Sequence, residues 1–294
     1  MLLTAASNGF PVARSKYVGM GGVKFFDFTM FHRYLGLKEF ISLEHDTTLL
    51  DRCNFNKPFE SVSIYDGSFS DFITDFRATT PHIFWIDYDY GLSEDLKDDL
   101  LSVGSKLPSD SFLILTVDGE PNRAMAKASS DDRMHDLQEQ LGYFLGQKAL
   151  PDFEDDDFRK TVADILLRIV RYSFNARPDG EFFPILKVIY KDSSWMVTVG
   201  GFFSSPARGA NLIREWHARM RFLPRHDSDG FYELPRFNIT DAERRLLDMQ
   251  TTKGTVRRRN SLPAKILKLG FDRNFVSNYQ RLIRYIPRYF ETFT

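Results

Sequence analysis

Acidic and aromatic side chains follow an apolar run in the first third of the chain. The segment H-I-F-W-I-D-Y-D-Y-G, residues 82–91, carries Asp87, Asp89 and Tyr90 at its end. One aspartate there could orient a substrate amine or accept its proton, while Tyr90 stacks on a base. Two close carboxylates could instead hold Mg²⁺, and an acid that caps the following helix is an equally simple interpretation. We therefore take Asp87, Asp89 and Tyr90 as candidate catalytic residues and predict no metal site.

A glycine-rich turn lies nearer the N-terminus. In K-Y-V-G-M-G-G, residues 16–22, Gly19, Gly21 and Gly22 follow a short apolar run and precede a predicted helix. Glycines let the backbone approach a ligand closely, and a helix N-terminus offers free amide groups. The pattern predicts a cofactor-binding loop, with an ordinary turn as the alternative interpretation.

Carboxylates end the next two predicted strands. Glu44 falls about twenty residues beyond the glycines, where a ribose-binding acid belongs in a Rossmann-type fold. Asp66 and Gly67 follow the next strand and could contact an adenine ring. The alternatives are a solvated carboxylate at residue 44 and a plain Asp-Gly turn at 66–67. The sequence predicts a nucleotide or S-adenosylmethionine pocket at the strand ends.

Strands and helices alternate along the part of the chain that positions these residues. Apolar runs predict five strands, and F-F-P-I-L-K-V-I-Y and W-M-V-T-V-G-G-F-F predict a later hairpin. The five predicted strands lie at 16–22, 40–43, 61–65, 83–86 and 112–117. This alternation favours an α/β fold with a parallel sheet and right-handed crossovers. Helical periodicity predicts an insertion at about residues 120–175.

Composition excludes several classes of protein. Apolar residues make up 43% of the 294-residue chain, and the 28 phenylalanines predict an aromatic core rather than a platform for bases. The single cysteine, Cys53, cannot form an internal disulfide or a cysteine metal cluster. The chain also lacks a nucleophile-elbow motif, a clear signal peptide and a run long enough to span a bilayer. We expect a cytoplasmic protein without a membrane partner.

The last ninety residues differ in charge from the rest. Residues 253–288 hold ten lysines and arginines against one acid, although the whole chain has a net charge of −1. We predict an α/β domain over residues 1–205 and a basic, mainly helical region over 206–294. A solvated surface is the simple interpretation of the basic run. The functional one is contact with nucleic acid or an acidic protein, through Arg257, Arg258, Arg259, Lys265 and Lys268.

Five parallel strands followed by an antiparallel hairpin resemble the class I S-adenosylmethionine-dependent methyltransferase fold, a Rossmann-like sheet. On this resemblance, Gly19 and Gly21 stand for the glycine-rich motif, Glu44 for the ribose-binding acid, and Asp66 with Gly67 for the adenine-contacting motif. W-I-D-Y-D-Y-G is similar to the D-P-F-G motif of tRNA guanine-N2 methyltransferases. The resemblance implies S-adenosylmethionine as cofactor and methyl transfer near Asp87, Asp89 and Tyr90.

The motifs Y-V-G-M-G-G, S-L-E-H-D, F-N-K-P-F and Y-I-P-R-Y-F are also similar to a group of uncharacterised bacterial methyltransferase-like proteins, associated with anti-phage gene clusters. The leading hypothesis is a methyltransferase that acts on nucleic acid, and two alternatives to it stay open. One is an inactive methyltransferase-fold subunit of a multi-protein assembly. The other is a metal-dependent, phosphate-handling enzyme that uses Asp87 and Asp89.

Overall fold

The computed structural model describes residues 1–120, 130–146, 156–191, 193–220, 223, 225, 230–235, 237–252, 266 and 268–283. The chain divides into two compact units, Met1–Glu233 and Leu234–Thr294. The first unit holds an eight-stranded mixed sheet with helices on both faces. The described part of the second contains helices.

The sheet has the strand order β3-β2-β1-β4-β5-β7-β6-β8. Strands β1 to β5 run parallel to one another, and β7 is antiparallel to both β5 and β6. The strands are β1 Lys16–Gly19, β2 Glu39–Glu44, β3 Val62–Asp66, β4 His82–Asp87, β5 Ser111–Asp118, β6 Glu181–Lys191, β7 Trp195–Ser204 and β8 Tyr232–Glu233. The predicted fold class, parallel strands with a terminal antiparallel hairpin, is confirmed.

The polarity of the sheet explains where the site forms. β1 and β4 are neighbours, while the chain that leaves β1 turns back to form β2 and β3 on the other side. The carboxyl ends of all four strands therefore meet at one edge, on either side of the point where the strand order reverses. Ligands of open α/β sheets bind in the crevice at this point.

The helices of the first unit include three that the sequence did not predict. Gly36, with φ of 70°, ends α2 as predicted, and the Ser93 hydroxyl accepts a hydrogen bond from the amide of Leu96 at the start of α5. The short helices α1, α3 and α4 were missed. The described α-helices of this unit are α1 Leu2–Ser7, α2 Phe26–Leu35, α3 Leu50–Asn56, α4 Phe69–Asp75, α5 Glu94–Lys106, α6 Ser130–Leu141, α7 Asp156–Asn175 and α8 Pro206–Arg219. Two short 3-10 helices, Val12–Arg14 and Gly142–Leu145, are also described.

Two apolar layers hold these helices on the sheet. One layer contains buried residues of α4, α5 and α7, and the other contains residues of α1, α2 and α8. Phenylalanines form much of both layers. The ring of Phe10 lies 5.8 Å from that of Phe112 and 5.5 Å from that of Phe202, centroid to centroid. The aromatic core predicted from composition is confirmed.

Helix α8 belongs to the sheet-containing unit. Its Leu212 and Trp216 are buried, and the Trp216 indole N–H donates to the backbone carbonyl of Ile185 on β6 at 3.1 Å. The compact units accordingly divide after Glu233, so the boundary predicted after residue 205 falls inside the first unit.

The second unit has a small core of its own. Helices α9 (Asp241–Thr252) and α10 (Arg273–Leu282) contribute Leu247, Val276 and Tyr279 to it. Thr240 and Glu243 form the predicted capping box at the start of α9. In the described ranges of both units, no helix combines the length and apolarity needed to cross a membrane.

Candidate active site

A cavity of about 360 Å³ opens at the carboxyl ends of β1 to β4. This volume lies within the range of about 300–1,000 Å³ that is usual for small-molecule and cofactor sites. The wall is formed by the last residues of β2 and β4, by residues that follow each of the four strands, by the first residues of α4 and by one residue of α5. The lining residues are Met20, Gly22, Leu43, Glu44, His45, Gly67, Ser68, Phe69, Ser70, Asp87, Tyr88, Asp89, Tyr90 and Asp99.

The three glycines of the N-terminal turn have different places. Gly22 lines the cavity and has φ of 50°, a conformation that favours glycine. Gly21 packs inward instead, since a Cβ at this position would lie 2.6 Å from the ring of Phe25. Its amide donates to the Ser42 hydroxyl on β2 at 3.1 Å. Gly19 faces the hydroxyl of Tyr17, so Gly19 and Gly21 shape the turn and are not part of the cavity wall.

Buried aromatic residues pack against the inner side of this turn. Phe25 precedes α2, has φ of 49° and is fully buried, with its ring 5.3 Å from that of Phe28. Tyr17 is equally buried, and its hydroxyl donates a hydrogen bond to the Asp27 carboxylate. Burial, followed by the charge of Asp27, raises the pKa of Tyr17, so the phenol stays protonated at neutral pH.

Glu44 is a buried carboxylate at the end of β2. Its side chain is 9% exposed, and Oε1 accepts a hydrogen bond from the amide of Asp46 at 3.0 Å. The Cys53 thiol lies 3.7 Å from Oε2 and 3.4 Å from the carbonyl of Gly22. Burial, and then the Glu44 charge, raises the pKa of Cys53, so the thiol remains a neutral donor. Glu44 is therefore fixed between the glycine turn and α3, facing the cavity.

Of the predicted adenine-contacting pair, Asp66 and Gly67, only Gly67 lines the cavity. The Gly67 amide donates to the backbone carbonyl of Glu44 at 3.0 Å. Asp66 is exposed and does not contribute to the wall. The structure thus brings six predicted residues together around one cavity: Gly22, Glu44, Gly67, Asp87, Asp89 and Tyr90. Gly19, Gly21 and Asp66 lie near it but do not line it.

Sequence reasoning missed a buried pair on the floor of the cavity. The Tyr88 hydroxyl donates to Asp99 Oδ2 at 2.9 Å, and both side chains are almost fully buried. Burial raises the pKa of Asp99, partly offset by hydrogen bonds from Ser70 and Tyr88. In the sequence, Asp99 sits in the charged stretch E-D-L-K-D-D, which is typical of a solvated helix face. Only the packing of α5 on the sheet shows that it faces inward.

The raised pKa of Asp99 predicts a pH dependence of stability. The pKa of Asp99 is higher in the folded state than in the unfolded state. Its carboxyl group therefore stabilises the fold at pH values below its pKa in the unfolded state. This stabilisation is lost as the pH rises through its pKa in the folded state. The free energy of unfolding of Asp99→Asn, minus that of the wild type, should therefore increase as pH rises from 3 towards 7. Urea unfolding at a series of pH values measures it. A difference that shrinks as pH rises would contradict the assignment.

A second cavity of about 230 Å³ adjoins the first. Asp89 and Tyr90 line both, so the two meet at the end of β4. Burial, followed by the charges of nearby aspartates, raises the pKa of Tyr90 to about 12, so its phenol acts as a hydrogen-bond donor at neutral pH. The other lining residues are Gly91, Leu92, Ser93, Asp118, Glu120, Leu137, Gln140, Phe158 and Val162.

Both cavities are acidic. The described side chains that line them include no lysine or arginine, whereas Glu44, Asp87, Asp89, Asp99, Asp118 and Glu120 supply carboxyl groups. Such walls favour a cationic or neutral ligand over a phosphate. In the described part of the chain, no three histidine, cysteine or acidic side chains are arranged to bind a metal ion. Neither observation favours the phosphate-handling alternative.

The basic residues of the second unit lie mostly beyond what the structure describes. Arg257, Arg258, Arg259 and Lys265 are outside the described residues, and Lys268 is exposed. Their contact with nucleic acid or protein stays a prediction.

The strand order, the terminal hairpin and the cavity at the switch point define the Rossmann-like fold of class I methyltransferases. A protein-family model described as "Putative O-methyltransferase" matches residues 1–294. The chain therefore belongs to this O-methyltransferase family. No curated protein matches the sequence.

The solved structures that match this chain are distant from it in sequence. A structure described as "Complex between the Haloferax volcanii Trm112 methyltransferase activator and the putative methyltransferase" matches at 11% identity, with a TM-score of 0.35, over 68% of this chain and 88% of that one. Spermidine synthase from Thermotoga maritima matches at 10% identity, with a TM-score of 0.36, over 76% of this chain and 62% of that one. An O-methyltransferase family protein from Burkholderia thailandensis matches at 10% identity, with a TM-score of 0.37, over 69% and 56%.

Proposed function

We propose that this protein binds S-adenosylmethionine in the larger cavity and catalyses methyl transfer to a hydroxyl oxygen at the border of the two cavities. The observation that carries the proposal is the convergence of Gly22, the buried Glu44 and Asp87 on one acidic cavity at the sheet's switch point. Membership of the O-methyltransferase family supports oxygen as the acceptor atom.

The wall of the larger cavity suits this ligand. Glu44 is held by the Asp46 amide and can accept hydrogen bonds from ribose hydroxyls. Gly22 and Gly67 let the ligand approach the backbone. The carboxyl groups complement a ligand that carries a sulfonium and an ammonium group, and they repel the phosphates of a dinucleotide. The aromatic rings of Phe69 and Tyr88 offer apolar surface for a base.

When bound, S-adenosylmethionine supplies an electrophilic methyl group on a positively charged sulfur. The acceptor oxygen forms a bond to the methyl carbon, the carbon–sulfur bond breaks with its electron pair left on sulfur, and the hydroxyl proton leaves. Asp89 borders both cavities, so its carboxylate is placed to accept that proton. The protonated Tyr90 can donate a hydrogen bond to the acceptor. Most of the remaining rate enhancement comes from holding the two reactants in line.

Calorimetric titration of the purified protein tests the proposal. S-adenosylmethionine and its demethylated product, S-adenosylhomocysteine, should both bind with one site per chain, whereas ATP and NAD should not. If neither adenosyl ligand binds the folded protein at millimolar concentration, the proposal is wrong and the inactive-subunit alternative gains support. The nucleic-acid partner and the defence association predicted from the sequence stay predictions.

A further inference from the structure

We infer that the 230 Å³ cavity holds the methyl acceptor, and that the acceptor is a small hydroxylated compound with an apolar body and a protonated amine. The inference rests on the proposed function, which it extends from the reaction to the class of substrate. It also narrows the acceptor to a small molecule, in contrast to the nucleic acid predicted from the basic C-terminal residues.

The position of the smaller cavity is the first observation that supports this assignment. Asp89 and Tyr90 are shared walls, so a ligand in the smaller cavity lies directly beside the carboxyl end of β4. A methyl acceptor has to approach to near-contact distance of the donated carbon and in line with the bond that breaks. In the described structure, the smaller cavity shares this border with the larger one.

The size and lining of the cavity then restrict its ligand. About 230 Å³ is below the usual volume of a drug-sized site, which favours a small molecule. Leu92 lines it before α5, Leu137 comes from α6, and Phe158 and Val162 come from α7. These side chains form an apolar wall against which a ring or short alkyl body can pack.

Three carboxyl groups give the cavity its charge. Asp89 follows β4, Asp118 is the last residue of β5, and Glu120 lies two residues beyond it. Asp118 Oδ1 accepts the amide of Glu120 at 2.8 Å, and Glu120 Oε1 accepts the amide of Trp195 at 3.1 Å. These hydrogen bonds occupy one oxygen of the Asp118 carboxylate and one oxygen of the Glu120 carboxylate, and they hold both side chains in position. The buried Arg159 stacks on the Trp195 ring at 4.2 Å and does not line the cavity.

The smaller cavity should therefore bind ligands with an affinity that depends on their charge. A protonated amine gains a carboxylate partner in this cavity, a neutral group gains none, and a carboxylate meets like charge. We expect the affinity to fall in that order for compounds of one shape. Tyramine, 4-ethylphenol and 3-(4-hydroxyphenyl)propionate form such a series, with a cationic, a neutral and an anionic tail on one phenol.

Saturation-transfer NMR on the full chain, with and without saturating S-adenosylhomocysteine, provides the test. Tyramine should bind about tenfold more tightly than the anionic phenol. The double variant Asp118→Asn, Glu120→Gln keeps both acceptor oxygens and should reduce this ratio to about threefold or less. Glu120→Gln alone is the substitute if the double variant fails to fold. The exposed Asp136→Asn on α6 removes one negative charge outside the cavity, as Glu120→Gln does inside it, and should leave the ratio unchanged.

Equal binding of the three phenols, no binding below about 10 mM, or a ratio unaffected by the cavity variants would overturn the inference. Failure of the proposed function looks different, because S-adenosylhomocysteine would then fail to bind in the calorimetric titration whatever the phenols do. Mass spectrometry of the tyramine sample with S-adenosylmethionine should also show one added methyl group on oxygen.

Discussion

The Asp89→Asn protein is expected to transfer methyl groups about 100- to 10,000-fold more slowly than the wild type, the range that a positioned general base contributes. Asp89 is the carboxylate that borders both the larger and the smaller cavity. Asparagine has nearly the same size but cannot accept the proton. The measurement is the turnover rate with tyramine at saturating S-adenosylmethionine, followed by formation of S-adenosylhomocysteine.

The affinity for S-adenosylhomocysteine shows whether the Asp89→Asn protein has lost only its catalytic step or also its folded binding site. The affinity of Asp89→Asn for S-adenosylhomocysteine should stay within about threefold of the wild-type value, since solvent screens the charge of the exposed Asp89 side chain. An equal loss in Asp87→Asn would indicate that the two aspartates share the role. Full activity of Asp89→Asn would exclude it as the base.

Glu44→Gln should weaken the binding of S-adenosylmethionine by about ten- to a hundredfold. Hydrogen bonds to a charged group contribute about 1.5–3 kcal/mol, and 1.4 kcal/mol corresponds to a factor of ten in affinity. The carboxylate can accept from two ribose hydroxyls, whereas the amide retains one acceptor oxygen. That oxygen can keep the existing bond from the Asp46 amide, so the fold of the β2 end is preserved. Calorimetric titration measures the loss.

Glu39→Gln is the matched control for this change. Glu39 lies at the opposite end of the same strand, where its exposed carboxylate pairs with Lys16 at 3.1 Å. The control removes one negative charge from β2 without touching the cavity and should bind the cofactor as the wild type does. Unchanged affinity in Glu44→Gln would show that the ligand does not contact this carboxylate.

The sheet was predictable from sequence because its signals are local. Buried parallel strands such as F-L-I-L-T-V on β5 read as continuous apolar runs, and the turn residues K-D-S-S mark the hairpin. Parallel strands also place their carboxyl ends together, so the convergence of Glu44, Gly67 and Asp87 followed from strand direction alone.

The rest of the site depends on tertiary packing. The pattern around Asp99 gives no sign that α5 turns this residue inward under Tyr88. Asp118 is the last residue of β5, and Glu120 follows it after Gly119 in a stretch that matches no binding motif. Their cavity is covered by α6 and α7, which the sequence does not place there. Asp66 was predicted to contact the ligand because it lies at the carboxyl end of β3. In the structure it is exposed and does not line the cavity.

Phe25 connects the glycine-rich turn at residues 19–22 to the interior of the protein. A non-glycine residue in the left-handed region costs about 1–2 kcal/mol, and full burial of a phenylalanine ring returns about 1.5–3 kcal/mol. The turn therefore cannot relax to an ordinary conformation without drawing an aromatic ring out into water. Its amide groups are held in place before any ligand arrives, so binding needs little ordering of this loop. Small entropy losses and fast association should accompany a receptor preorganised in this way.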